Sequence, residues 1–575
     1  MMNVRREFFI IPGLVASLIG SLSCKKKDAA PDSAGSSWQR EVETRRAQIE
    51  KVKGENKAGF EAMDSGSLGG ATLEMIPYVV FRVLQDLEPA AFSDASLSAS
   101  GFFPRQDMPG GHNGIIWTDP TQAGALKLRY LTRTCSSCHT ARVRLADGTM
   151  RLMFGGSNSE IGLHGFIGRL TSTLKADLGA SATEPAYQAF RKRIVEGLAS
   201  HEAGWFFGAS SKTVTADDAA KEVAAVTANI DAVLSLMRTM NDKRMQNIAL
   251  LQDHSYAKVP NPPSLSGGAP GLIETSGLGS VGLVAFVPKA PESVLPPGPA
   301  KADIPAIWQI DSTGYANWDG TVRGFARALT SSMAVVGDPT KIDLAVNAKI
   351  QAFLGKLPSE PYPFPIDDAA RHRGEAVYQT NCAGCHLSPA GKTRNELVFD
   401  VGTDPLRSQA MSTLAASLLS KVLVSICPQT QPECAFGPEG PVVDPSAHRG
   451  YVATPLPGAW AIAPYLHNGS VPTLRQLLVP SLRTTAPFLR GSTSYNQADG
   501  GWEWEPQKEA AMRAKGDVAL ALHDLGQAGF SPVGHGSDSN PRLVDGQGKS
   551  VRVVWSNSAE DKRVVDDLIA YLLSL

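Results

Sequence analysis

Two short stretches, "RTCSSCHT" at 133–140 and "TNCAGCHL" at 380–387, each set two cysteines three positions apart with a histidine directly after the second. That order is a geometric requirement for a covalently attached c-type haem. Two intervening residues let both sulfurs reach one edge of the porphyrin, and the next residue can turn under the ring and offer an imidazole nitrogen to iron. Zinc and thiol redox also use C-x-x-C. Zinc does not require a histidine after each pair, and these pairs lie far apart in the chain. A thioredoxin-like centre needs one pair in a βαβ setting, which neither flank provides. With seven cysteines in 575 residues, an accidental C-x-x-C-H is expected in well under ~1% of such chains, and two far more rarely. The residues therefore predict two covalent haem c groups: Cys135, Cys138 and His139 for the first, Cys382, Cys385 and His386 for the second.

The remaining cysteines are Cys24, Cys427 and Cys434. Cys427 and Cys434 flank the loop "PQTQPE", a spacing that predicts a disulfide in an oxidising compartment. Cys24 follows "MMNVRREFFIIPGLVASLIGSLS", in which Arg5 and Arg6 form a basic region and Phe8 to Leu22 an apolar one too short for a comfortable membrane span. Residues 1–23 read as an export signal and 24–37 as a flexible tether, with Cys24 a candidate lipid anchor although Ser21 stands where such signals usually carry leucine. The expected location is the periplasm, the outer membrane or outside a bacterial cell.

A chain of this length is expected to form two or three domains. Hydrophobic residues at 43% and charged residues at 19% fit large globular cores, and a net charge of −1 gives no reason to expect a nucleic-acid partner. The expected fold is mainly α with little sheet: two cytochrome c-like haem domains, at 38–300 and 361–575, joined by an inter-haem region at 301–360. Before the second motif, "DDAARHRGEAVYQTN" has helical periodicity, with Asp367 or Asp368 as cap. The terminal "EDKRVVDDLIAYLLSL" forms a helix with one apolar face. Gly374 would allow two helix backbones to approach closely, with Tyr378 at the crossing. This arrangement resembles the cytochrome c fold. The first motif departs from it, because "GALKLRYLTRTCSSCH" alternates like a strand. The charged stretch from Ser36 to Asn56 predicts a solvated helix, and 215–252 one or two long helices whose Met237, Met240 and Met245 are core packing rather than iron ligands.

Two further segments carry a resemblance. "IAPYLHNGSVPTLRQLL" (462–478) is similar to the Tyr/Phe-x-His-Asp/Asn-Gly-Ser signature of bacterial di-haem cytochrome c peroxidases and their relatives, and "GFSPVGHGSDS" (529–539) to the Gly-His segment near the end of di-haem rubber-oxygenase-type proteins. The resemblance implies that His139 and His386 are proximal iron ligands and that His535 caps the second haem, with His467 and Met411 as rivals. It implies a tryptophan between the porphyrins, for which Trp308 is the choice and Trp318 the alternative. The first haem then decides function. Iron open at its sixth position binds peroxide or dioxygen, and iron closed by His164 or His112 only passes electrons. The expected activity is that of a haem oxidoreductase, a peroxidase or dioxygenase with an electron-donor protein as partner; the alternative is a pure electron carrier. Calcium accompanies the peroxidase relatives, but no acidic loop here demands it.

Overall fold

The computed structural model describes residues 37–69, 76–123, 126–208, 213–287, 292–310, 314–387 and 392–575. The export signal, Cys24 and most of the tether lie outside these residues. The architecture is mainly α with little sheet, as the sequence predicts. Every sheet among the described residues is an antiparallel pair of short strands, so helix packing, not a sheet, organises the core.

The second motif is delivered by two crossed helices. Asp367 caps the first of them, Asp368–Asn381, by accepting from the amides of Ala369 (2.8 Å) and Ala370 (3.2 Å). The helix runs into Cys382 and crosses the C-terminal helix Ala559–Ser574. At the crossing, a Cβ on Gly374 would lie 1.9 Å from the carbonyl oxygen of Asp567, so only glycine fits. Buried Tyr378 packs there on Tyr571, ring centroids 5.2 Å apart, and Arg373 grips the Asp567 carboxylate with two bonds of 2.8 and 2.7 Å.

The first motif is reached differently. Strand Leu131–Arg133, paired with Ile115–Trp117, leads into the single turn Ser136–His139, and the hairpin Thr140–Arg144/Met150–Phe154 follows. Gly114, at φ +74°, lies so close to the turn that a Cβ would meet the Ser137 backbone at 2.5 Å. Both residues between the first pair of cysteines are buried serines. Ser136 Oγ donates to Asp64 (2.6 Å), which also takes Arg105 through two nitrogens at 2.6 and 3.0 Å, and Ser137 Oγ donates to the Thr134 carbonyl (2.8 Å). The strand-like alternation before Cys135 is thus a real strand, held in place by a buried ion pair.

Two large apolar clusters fill the molecule. One gathers Trp38, Met63, Trp308, Trp460, Tyr495 and the C-terminal helix; the other gathers Tyr78, Phe92, Phe166, Tyr187 and Phe207. Cys135 packs against the first and Cys138 against the second, so the first motif sits at their seam. The helix Ser37–Glu55 is not simply solvated, as its charge pattern predicts. Its Trp38 is fully buried, with Nε1 within 3.2 and 3.1 Å of the Tyr362 and Phe364 carbonyls, and its Arg45 donates to the Ser574 carbonyl at 3.0 Å. A tryptophan at the start of a charged helix marked the contact. Residues 215–252 form two helices, Ala216–Ala228 and Ile230–Leu251; Met237 is buried in core, Met240 half-buried and Met245 exposed. Cys427 and Cys434 form the disulfide that their spacing predicts.

Candidate haem centres

Each motif histidine is fixed by its backbone surroundings. His386 Nδ1 lies 2.8 Å from the Thr454 carbonyl and His139 Nδ1 3.1 Å from the Pro305 carbonyl. A carbonyl only accepts, so each Nδ1 carries the proton and each Nε2 keeps its lone pair for a metal. Burial pushes the His139 imidazole down to about 4 and lowers that of His386, so both rings stay neutral at physiological pH. The four motif thiols are free cysteines, and burial pushes Cys135 and Cys382 up to about 12. Among the described residues no three His, Cys, Asp or Glu side chains converge, so the two pairs do not share a zinc site.

The His386 and His535 ring centroids lie 6.4 Å apart, with the ring planes tilted by 40°. Metal–imidazole bonds of about 2.0–2.1 Å, with about 1.1 Å from ring nitrogen to centroid, put two ligands on opposite faces of one ion about 6.3 Å apart. The pair therefore fits the two axial positions of a haem. His535 holds a left-handed backbone, φ +55°, between Gly534 and Gly536, and its amide donates to the Val401 carbonyl (2.8 Å). Its Nδ1 is buried without a hydrogen-bond partner among the described residues, and burial beside Arg483 and His386 pushes the ring down to about 3.

The rival ligands lie elsewhere. The His467 ring stacks on Tyr451 at 4.0 Å with Nε2 3.1 Å from the Tyr451 hydroxyl, and its carbonyl accepts from the Asp303 amide at 2.7 Å. It ties the signature segment to residue 303. Met411 packs its side chain at the edge of the large cluster, and its carbonyl accepts from Arg449 at 3.1 Å. His164 Nε2 accepts from the Glu274 amide (2.9 Å), which occupies the nitrogen a metal would need. His112 is not on a flexible surface turn, as its glycine-rich setting predicts; it is buried, with Nε2 3.8 Å from Asp94.

A cavity of about 330 Å³ opens in front of the first motif. Its wall includes Cys135, Cys138 and His139 on one side and Trp308, Trp318 and Thr454 on another. Trp308 lies between the two motifs. Three residues before it, Pro305 accepts from His139; its own Nε1 donates to the Pro457 carbonyl (2.9 Å), three residues after Thr454, which accepts from His386. Two glycines lie close to its ring: a Cβ on Gly458 would sit 2.5 Å from it and one on Gly156 3.3 Å. Trp318 also lines the cavity, but its Nε1 turns to the Asp303 carbonyl (2.9 Å), off that path. Buried Arg407 lines the wall as well. Its Nη1 donates to Asp319 (2.7 Å), while its Nε has no partner among the described residues. A porphyrin's propionates are acceptors of the kind such a donor lacks. The residues present fit haem at both motifs.

Sequence reasoning missed the carbonyls of Pro305 and Thr454, because a backbone acceptor has no residue identity.

The RoxA-like, cytochrome c-like family matches residues 450–488, the segment that holds Thr454 and His467. The chain is also 36% identical to the uncharacterized protein y4iM of Sinorhizobium fredii (strain NBRC 101917 / NGR234), over 48% of this chain and 65% of the relative. It is 27% identical to the uncharacterized protein y4iJ of the same strain, over 34% of this chain and 44% of that relative. The chain thus spans less than two thirds of the length of either relative. The family match supports a c-type cytochrome of the RoxA-like kind, with haem c, iron and a haem-based redox function.

Proposed function

We propose that the protein is an exported di-haem c-type cytochrome whose N-terminal haem, on His139, is the site of substrate chemistry, and whose C-terminal haem, on His386 and His535, relays electrons. Haem c, when bound, supplies one-electron redox at iron and, where a coordination position is open, a place for peroxide or dioxygen. One observation carries the reading: of the described residues lining the cavity, His139 is the only histidine, and none is methionine or lysine. No second histidine, methionine or lysine among the described residues of that wall would close the sixth position of the first haem, whereas His535 would close that of the second.

The chain's own part is positioning and insulation. Pro305 and Thr454 hold the two imidazoles in the ligating tautomer. Trp308 bridges them by short covalent and hydrogen-bonded steps and is the proposed electron relay. Among the described residues of the cavity wall the single carboxylate, Asp303, is paired with Arg490. Splitting peroxide requires a free acid–base group beside the iron, and among the described residues of the wall the lack of an unpaired carboxylate supports oxygenation of an organic substrate by dioxygen over peroxide reduction. The Cys427–Cys434 disulfide supports an oxidising compartment such as the periplasm. An electron-donor protein is the proposed partner, and Cys24 the proposed anchor.

The test is a visible spectrum of the exported protein, oxidised and then reduced, with carbon monoxide added last. One high-spin haem that takes up the gas supports the enzyme. Two low-spin haems that ignore it make the protein an electron carrier.

A further inference from the structure

We infer that Arg483 is the positioning residue that holds His535 opposite His386, acting through the backbone of residues 532–534, with Asn468 and Ser470 bracing the same segment from its other end. The inference rests on the reading of His535 as the cap of the second haem.

The guanidinium of Arg483 reaches two segments at once. Its Nε and Nη2 donate to the carbonyls of Gln476 (2.9 Å) and Leu477 (2.8 Å), in the last turn of the short helix Leu474–Leu478. Its Nη1 donates to Gly534 (2.9 Å) and Pro532 (3.2 Å), immediately before His535. Burial pushes it down to about 10, partly offset by the Asp538 carboxylate, so it stays charged at neutral pH. A cation is favoured at carbonyls that end a helix. Only a planar fork can reach both segments; a lysine ammonium would offer its donors from one point.

The signature segment supplies the second hold. Asn468 Nδ2 donates to the Gly529 (2.9 Å) and Ser531 (3.1 Å) carbonyls, and Ser470 Oγ to Ser531 (3.1 Å). Gly534, at φ +129°, lies against Thr403 so closely that a Cβ would meet the Thr403 side chain at 2.5 Å. Carbonyls 529, 531, 532 and 534 are thus all held by side chains from residues 468–483. A non-glycine residue in the left-handed region persists where its surroundings over-determine it, and His535 has such surroundings. The "HNGS" signature and the "GFSPVGH" segment are two halves of one device.

The test uses the full chain matured with its haems, as R483Q, R483K, N468A and H535A. Haem attached per chain, the spin state of each haem and carbon monoxide binding to the reduced protein are measured. In R483Q and R483K both haems should attach, the first should be unchanged, and the second should become partly high-spin and bind carbon monoxide at least tenfold faster than wild type. Added imidazole should restore the low-spin spectrum, which a general folding defect would not allow. N468A should move in the same direction and decides the matter if the Arg483 variants do not fold. A wild-type second haem in R483Q and N468A, alongside a high-spin one in H535A, overturns the brace alone. A second haem that stays low-spin in H535A overturns the cap, and the brace with it.

Discussion

Gly374→Ala tests whether the helix crossing is what presents the second motif. The added methyl carbon would start 1.9 Å from the Asp567 carbonyl oxygen and 2.9 Å from the Tyr571 Cβ. Real Cβ atoms essentially never come within 3.0 Å of another heavy atom, so the helices must part by about 1 Å against backbone, which cannot rotate away as a side chain could. Parting them loosens the Tyr378–Tyr571 contact, worth about 0.5–1.5 kcal/mol, and opens a close-packed seam at a typical cost of about 1–3 kcal/mol. A total loss near 3 kcal/mol follows. Because helix Asp368–Asn381 runs directly into Cys382, the displacement should also reach the second haem and not the first. Denaturant unfolding followed separately at the two haems reads both effects. A variant within 0.5 kcal/mol of wild type, with an unchanged second haem, would refute the reasoning.

Trp308→Phe keeps the ring but leaves the Pro457 carbonyl without its donor, at a cost of about 1–3 kcal/mol; after partial reduction, stopped-flow spectroscopy should show slower electron exchange between the haems. An unchanged exchange rate removes Trp308 from the path. Replacing Cys427 and Cys434 with serine opens a cross-link of sequence separation 7 and should cost about 2.5 kcal/mol in denaturant melts by loop entropy, with no effect on haem attachment. His467 is buried neutral with its pKa pushed down to about 3, below its unfolded value, so its stabilising contribution is present above about pH 6.5 and lost as pH falls toward 3. H467Q should therefore flatten the stability-against-pH slope between about pH 6 and 4 by up to about 1.4 kcal/mol per unit, measured as unfolding free energy; an equal slope excludes the histidine as an acid-sensitive group.

Much of the site was legible because its chemistry is local. C-x-x-C-H states a ligand set in five consecutive residues, and the crossing of helix Asp368–Asn381 was readable from a glycine set among helical apolar positions. Ser37–Glu55 was misread because one buried tryptophan outweighs a charged helix face, and that depends on the carbonyls of Tyr362 and Phe364, more than three hundred residues away. His112 and His164 were open questions for the same reason: whether a histidine is free to bind metal depends on who takes its lone pair, and for His164 the answer is the amide of Glu274.

The sequence by itself determined the kind of chemistry: two C-x-x-C-H motifs, a cystine and a mainly helical chain. Tertiary structure decided how that chemistry is arranged. It set His535 near His386 while turning His467 toward Tyr451, tied Trp308 to the segments whose carbonyls fix the motif histidines, and left His139 as the only histidine among the described residues of its cavity wall. The physical reason is range. Covalent attachment and helix periodicity are fixed by neighbours a few residues apart, whereas axial ligation is a matter of which imidazole the distant backbone holds in place, and through which nitrogen.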